Sequence, residues 1–206
     1  MHEILSQNTK LEIVKKYSGI KNNSFHLTRN SETLIDNYIT DCQLNNRCEQ
    51  DLTKAYNELV ELISMNENND DLPTVIFKHD IDIFFREKES GIYYYVEVKY
   101  NDDHDTGKFV DINRKLLKTY AYLVRGFGKD AVVKPVLFYF TNKKMKGNIY
   151  VPENDVIYRG KRFFEKFANI AYEEIDGYMP NISEDEKTVK IFDDLYKRIV
   201  SNRNSN

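Results

Sequence analysis

Apolar residues recur along this chain with two different periods, and the points where the period changes mark out its parts. Leu44, Cys48, Leu52, Tyr56, Leu59 and Ile63 follow at spacings of three and four, which predicts an amphipathic helix. The polar run Met65-Asn66-Glu67-Asn68-Asn69-Asp70-Asp71, closed by Pro73, ends it. Beyond the break, Thr74–Arg86 and Ile92–Tyr100 are rich in β-branched and aromatic residues and flank a polar turn containing Ser90-Gly91. That pattern predicts a β-hairpin. Ile112, Leu116, Leu117, Tyr120, Leu123 and Val124 then return to helical spacing, with a stop at Gly126. Ala131–Phe140 is a nearly continuous apolar run, read as a buried strand whose Pro135 marks an edge or bulge. Asn148–Val151 is expected to pair with it.

Further helices are expected near Ile4–Tyr17, at Ser31–Cys42 with Ser31 as N-cap, and around Lys161–Asp176 and Glu184–Ser201. Ser24–Thr28 reads as a strand or a loop. The order of elements implies an α/β fold with a central mixed β-sheet flanked by helices. A length of 206 residues suits one domain, 1–206.

Composition narrows the class. Aromatics at 13% are too many for a disordered chain, and no apolar run reaches the roughly 18–20 residues of a membrane helix. The first residues lack the pattern of a signal peptide, and two cysteines, Cys42 and Cys48, make neither a zinc site nor a disulfide scaffold. His26 and His104 have no second His or Cys at zinc spacing. A soluble, cytoplasmic protein without a membrane partner is expected. The net charge of −3 hides segregation: Lys134 to Lys166 holds eight Lys/Arg against Glu153, Asp155 and Glu165. Such a segment is either a solvated face or the footprint of a polyanion.

The chemistry concentrates in His79-Asp80-Ile81-Asp82 and Tyr95-Val96-Glu97-Val98-Lys99. If the hairpin turns at Glu89-Ser90, opposing residue numbers sum to 179, so Asp82 faces Glu97 and Asp80 faces Lys99. Crowded carboxylates need a compensating cation, and a hard divalent ion such as Mg2+ takes such oxygen ligands while keeping waters and substrate phosphate. The bland alternative is an exposed sheet face with paired Asp, Glu and Lys.

Asp82 followed by Glu97-Val98-Lys99 on the next strand resembles the active site of PD-(D/E)XK nucleases, the superfamily of most type II restriction endonucleases. The resemblance covers about residues 44–141. It implies a restriction-endonuclease-like fold, with Asp82 and Glu97 ligating Mg2+ and Lys99 assisting water attack on a phosphodiester of double-stranded DNA. It also implies an acid from the preceding helix, for which Glu49 fits first and Glu58 second, and no nucleotide cofactor. Palindromic DNA sites suggest a homodimer. Two features depart from the family. No Pro precedes the aspartate, which leaves the choice between Asp80 and Asp82 open. The family core also has three strands ahead of its second helix, where two are counted here unless Thr74–Arg86 bends into separate pieces.

Asn113, Arg114, Lys115 and Lys118 on the helix after the site could hold phosphates or, for the Asn, read adenine. Lys143, Lys144 and Lys146 cluster in a turn and make a better phosphate-binding candidate. The run Lys146–Glu153 with Arg159-Gly160-Lys161 is similar to restriction endonucleases of the HinfI kind. On that resemblance, residues 1–43 and 142–206 would be recognition or dimerisation additions. A Holliday-junction resolvase or other repair nuclease shares the motif, and a non-catalytic DNA-binding module is the third reading.

Overall fold

The computed structural model describes residues 1–19, 23–45, 47–177 and 190. They fall into two compact units, Met1–Asn169 and Ile170–Asn206. In the second, residues 172–177 are helical, and Tyr172 Oη donates to Asp176 Oδ1 at 3.0 Å. The expected helix Glu184–Ser201 lies outside the described residues, apart from Lys190.

The first unit runs α1 (His2–Ser6), β1 (Leu11–Ile13), β2 (Asn23–Thr28), α2 (Arg29–Leu44), α3 (Glu49–Glu67), β3 (Thr74–His79), β4 (Ile83–Glu87), β5 (Tyr93–Lys99), α4 (Thr106–Phe127), β6 (Val133–Tyr139), α5 (Glu153–Val156), β7 (Ile157–Arg159) and α6 (Gly160–Phe167). Strands β1, β4, β5, β6 and β7 lie in that order in one mixed sheet, antiparallel up to β5 and parallel beyond it. Strands β2 and β3 form a separate antiparallel pair.

Side-chain alternation gives the sheet two apolar faces. Phe84, Tyr95, Leu137 and Tyr139 join the core formed with α2, α3 and α4, where Ile35, Ile39, Leu52, Leu59, Leu116 and Leu117 are buried. The opposite face carries Phe85, Tyr94 and Phe138, which pack on Phe163 and Phe167 of α6. Each such side chain withdrawn from water contributes about 1.5–3 kcal/mol. At the start of α4, Asp105 accepts the Lys108 N–H at 2.8 Å and caps the helix.

Several boundaries differ from the sequence-based expectation. Thr74–Arg86 is two strands, because the chain bends at Asp80–Asp82 and leaves β3 paired with β2. With β1 added to β4, three antiparallel strands of the main sheet precede α4. Ile4–Tyr17 is not one helix: α1 ends at Ser6 and the chain re-enters as β1. Thr28, not Ser31, caps α2, accepting the Ser31 N–H at 3.1 Å. Leu44 ends α2 and is exposed, so α3 starts only at Glu49. Helix α4 passes Gly126 and stops at Gly128, whose φ of 73° a side chain would strain. Asn148–Val151 forms no strand; Asn148 Oδ1 instead accepts the N–H groups of Tyr150 and Val151, and β7 is the strand beside β6.

Pro135 stands inside β6 without breaking it. The amides of Tyr93 and Phe140 bond Val132 O and Lys99 O, so even-numbered residues of β6 face β5. Pro135 therefore faces the other edge, where β7 reaches only from Leu137 onward, and its missing N–H breaks no ladder bond.

Candidate active site

The β4–β5 hairpin has the expected register. Ile83↔Val96, Phe84↔Tyr95 and Arg86↔Tyr93 are opposed, each pair summing to 179. The loop is longer than the two residues expected: Glu87 N bonds Ile92 O, Gly91 N bonds Glu87 O, and Gly91 has a φ of 73°. Symmetric lengthening on both sides leaves the sum unchanged.

Since Glu87 and Ile92 form a hydrogen-bonded pair, alternation puts Asp82 and Glu97 at a non-hydrogen-bonded position, where side chains approach most closely. The same alternation would hand the Val98 N–H to Ile81 O. Ile81 O instead accepts Gly19 N at 2.9 Å, and the Asp82 carboxylate takes the Val98 N–H at 2.8 Å. The bend thus swings the Asp82 side chain onto β5. His2 Nε2 lies 2.9 Å from Asp82 O and anchors the bend from α1.

Glu97 is 4% exposed and fully engaged. Its Oε1 lies 2.5 Å from Lys99 Nζ; its Oε2 accepts from Tyr95 Oη at 3.0 Å and lies 3.2 Å from His79 Nε2. Lys99 Nζ also donates to Val98 O at 3.1 Å. Asp80 is exposed and lines, with Asp82 and Val98, a cavity of about 370 Å³.

The two carboxylates are pushed apart electrostatically. Burial, and then the charge of Glu97, raises the Asp82 carboxyl above its ordinary value, against the Val98 N–H, Lys99 and His79. Burial also works against ionised Glu97, but the His79 hydrogen bond and the Lys99 ammonium outweigh it and hold its carboxyl below the usual range. A cation between them would relieve the repulsion that raises Asp82. Among the described residues no group of three or more His, Cys, Asp or Glu side chains could hold a metal. Asp82 and Glu97 would offer a divalent ion carboxylate oxygens from adjacent strands, leaving its other positions to water and phosphate.

Other expected residues lie elsewhere. Glu49 begins α3, where its Oε1 accepts from Asn154 N at 3.4 Å, and Glu58 is exposed on the same helix. Asn113 is fully buried, donating to Phe109 O at 2.8 Å and accepting from Asn148 Nδ2 at 3.2 Å, so it cannot read a base. Arg114 pairs with Asp36 at 2.8 Å, and buried Lys118 with Glu32 at 2.9 Å, which makes both bridges to α2. Lys115 pairs along its own helix with Asp111. Lys143, Lys144 and Lys146 do share an exposed loop, Lys144 paired with Glu153 and Lys146 with Asp103, both at 3.0 Å. The sequence motif includes His79 and Tyr95 but gives them no role; Tyr95 stands two residues from Glu97 on one strand face, and His79 reaches Glu97 through the bend.

A mixed sheet of this order, with an aspartate at the head of one strand and Glu-x-Lys on the next, is the arrangement that the resemblance to restriction endonucleases leads one to expect. The family model for the type II restriction endonuclease HinfI matches residues 1–183. The type II restriction enzyme HinfI of Haemophilus influenzae is 50% identical over 200 residues, covering 96% of this chain and 73% of that protein. The chain belongs to the HinfI family of type II restriction endonucleases, site-specific deoxyribonucleases. No solved structure matches it. No described helix is long and apolar enough to cross a membrane.

Proposed function

We propose that this enzyme hydrolyses phosphodiester bonds at a short site in double-stranded DNA with Mg2+ held by Asp82 and Glu97. The observation that carries the reading is the meeting of Asp82, Glu97 and Lys99 at the end of one antiparallel ladder. When bound, the metal would polarise the scissile phosphate and acidify a water. Asp82 supplies a carboxylate aimed by the Val98 N–H. Glu97 is kept ionised by His79 and Lys99, and Tyr95 holds its orientation. The Lys99 ammonium stands beside both carboxylates, where it steadies the attacking water and the charge growing on the phosphate. In-line attack leaves a 5′-phosphate and a 3′-hydroxyl.

The same reading has the enzyme act in the cytoplasm as a homodimer, one site per strand of a palindromic duplex. Residues 1–43 and 142–206 would add recognition and dimer contacts to the catalytic core, with the basic loop at residues 142–147 as the clearest DNA-facing segment.

Sequencing the ends of plasmid fragments produced with Mg2+ tests it. Discrete cuts at one shared short motif, with 5′-phosphates, are expected. Scattered cuts, or cuts confined to branched junctions, would overturn the site-specific duplex reading.

A further inference from the structure

The C-terminal ends of β5, β6 and β7 carry a second polar cluster beside the candidate site. Lys99, Tyr139 and Arg159 stand in register on three adjacent parallel strands, so their side chains share one face of the sheet. Arg159 is firmly held: Nη2 donates to Asp102 Oδ2 at 2.9 Å, Nε donates to Glu153 Oε1 at 2.8 Å, and the guanidinium lies 5.1 Å from the centre of the Tyr139 ring. Asp102 comes three residues after Lys99 and is 1% exposed.

The remaining bonds of Asp102 reach the lysine loop. Oδ1 accepts Met145 N at 2.9 Å, and Oδ2 accepts Lys146 N at 3.3 Å. Lys146 Nζ closes the connection by donating to His104 O at 2.8 Å. A carboxylate removed from water must be compensated by hydrogen bonds and charge, and this one is compensated by the Arg159 guanidinium together with two backbone N–H groups of the basic loop. Glu153 already faces the Arg159 charge. What Asp102 adds is the pair of backbone bonds at 145 and 146, made from the segment that leaves the catalytic strand.

We propose that Asp102 is a positioning residue: it fixes the loop bearing Lys143, Lys144 and Lys146 relative to Lys99, so that phosphates gripped by the loop set the scissile bond at the catalytic group. The inference rests on the nuclease reading above. A loop tied at two backbone points holds its lysines at a set distance from the site, whereas an untied loop would spend binding free energy on ordering itself.

Asp102→Asn keeps the side-chain size and removes the charge; Asp102→Glu keeps the charge. The measurements are Kd for a mixed-sequence duplex across a salt series without metal, KM and kcat for plasmid cleavage with Mg2+, and amide exchange at residues 145 and 146. Asp102→Asn is expected to raise Kd and KM about tenfold and lower the log–log salt slope by roughly one to two, while kcat stays within about threefold. Exchange at 145 and 146 should accelerate, and Asp102→Glu should recover part of the affinity. A loss of active fraction or kcat with Kd and slope unchanged would overturn the proposal, since Asp102 would then serve folding alone. An equal rise in Kd when Lys143, Lys144 and Lys146 are already neutralised would also overturn it. The binding and exchange arms need no cutting, so an absence of Mg2+-dependent cleavage would count against the nuclease reading and not against this one.

Discussion

Asp82 Oδ2 accepts the backbone N–H of Val98 at 2.8 Å, one residue past the last rung of the β4–β5 ladder. That bond is the reason for proposing Asp82 over Asp80, which stays exposed in the bend. Asp82→Ala is expected to abolish cutting while DNA binding is kept or strengthened, a negative charge near phosphate having been removed. Asp80→Ala should slow cutting by about tenfold or less, through an outer water. Single-turnover cleavage and gel-shift affinity on the same duplex check both. An inactive Asp80→Ala beside an active Asp82→Ala would transfer the role to Asp80.

Cleavage is expected to require Mg2+ or Mn2+ and to stop in EDTA, with zinc-selective chelation having no effect. The donor set is carboxylate, and among the described residues no Cys/His cluster accompanies it. Full cutting in EDTA would exclude the two-carboxylate mechanism.

Neutralising Lys143, Lys144 and Lys146 together should weaken binding to every duplex and flatten its salt dependence, by roughly 0.9 in log–log slope for each phosphate no longer neutralised. Lys144 and Lys146 are ion-paired with Glu153 and Asp103 and must exchange these partners for phosphate, so exposed Lys143 should have the largest single effect. A slope unchanged by the triple substitution would mean that the loop is merely solvated.

Asn113→Ala should destabilise the fold by about 1–3 kcal/mol, because it leaves buried Asn148 Nδ2 short of a partner. The cut motif should stay the same. Urea unfolding and fragment-end sequencing measure the two effects separately, and an altered motif would return Asn113 to DNA reading.

The hairpin register and the Asp82/Glu97/Lys99 grouping could be read directly from the amino-acid sequence, because strand alternation and the Ser90-Gly91 turn are local signals. The bend at Asp80–Asp82 could not. Thr74–Arg86 is uniformly strand-like in composition, and what divides it is the pairing of β3 with β2, about fifty residues earlier in the chain. The cations of α4 misled for a related reason. Arg114 and Lys118 look like a phosphate-binding face until Glu32 and Asp36 of α2 arrive opposite them through tertiary packing. Glu49 sits on the predicted helix, but helical periodicity says nothing about which end of a helix meets which end of a sheet.

Pro135 has a consequence for how the molecule behaves in a crowded cell. Between Val133 and the start of β7, one side of β6 has no neighbouring strand among the described residues, and strand edges of this kind recruit foreign chains. At Pro135 the group that would recruit is missing, so an intruding strand finds the Val133 amide and then a gap. Pro135→Val would restore the missing donor without changing the apolar character of the strand. Light scattering from that variant should rise at concentrations where the parent protein stays clear, marking this proline as a guard against fibrous self-association.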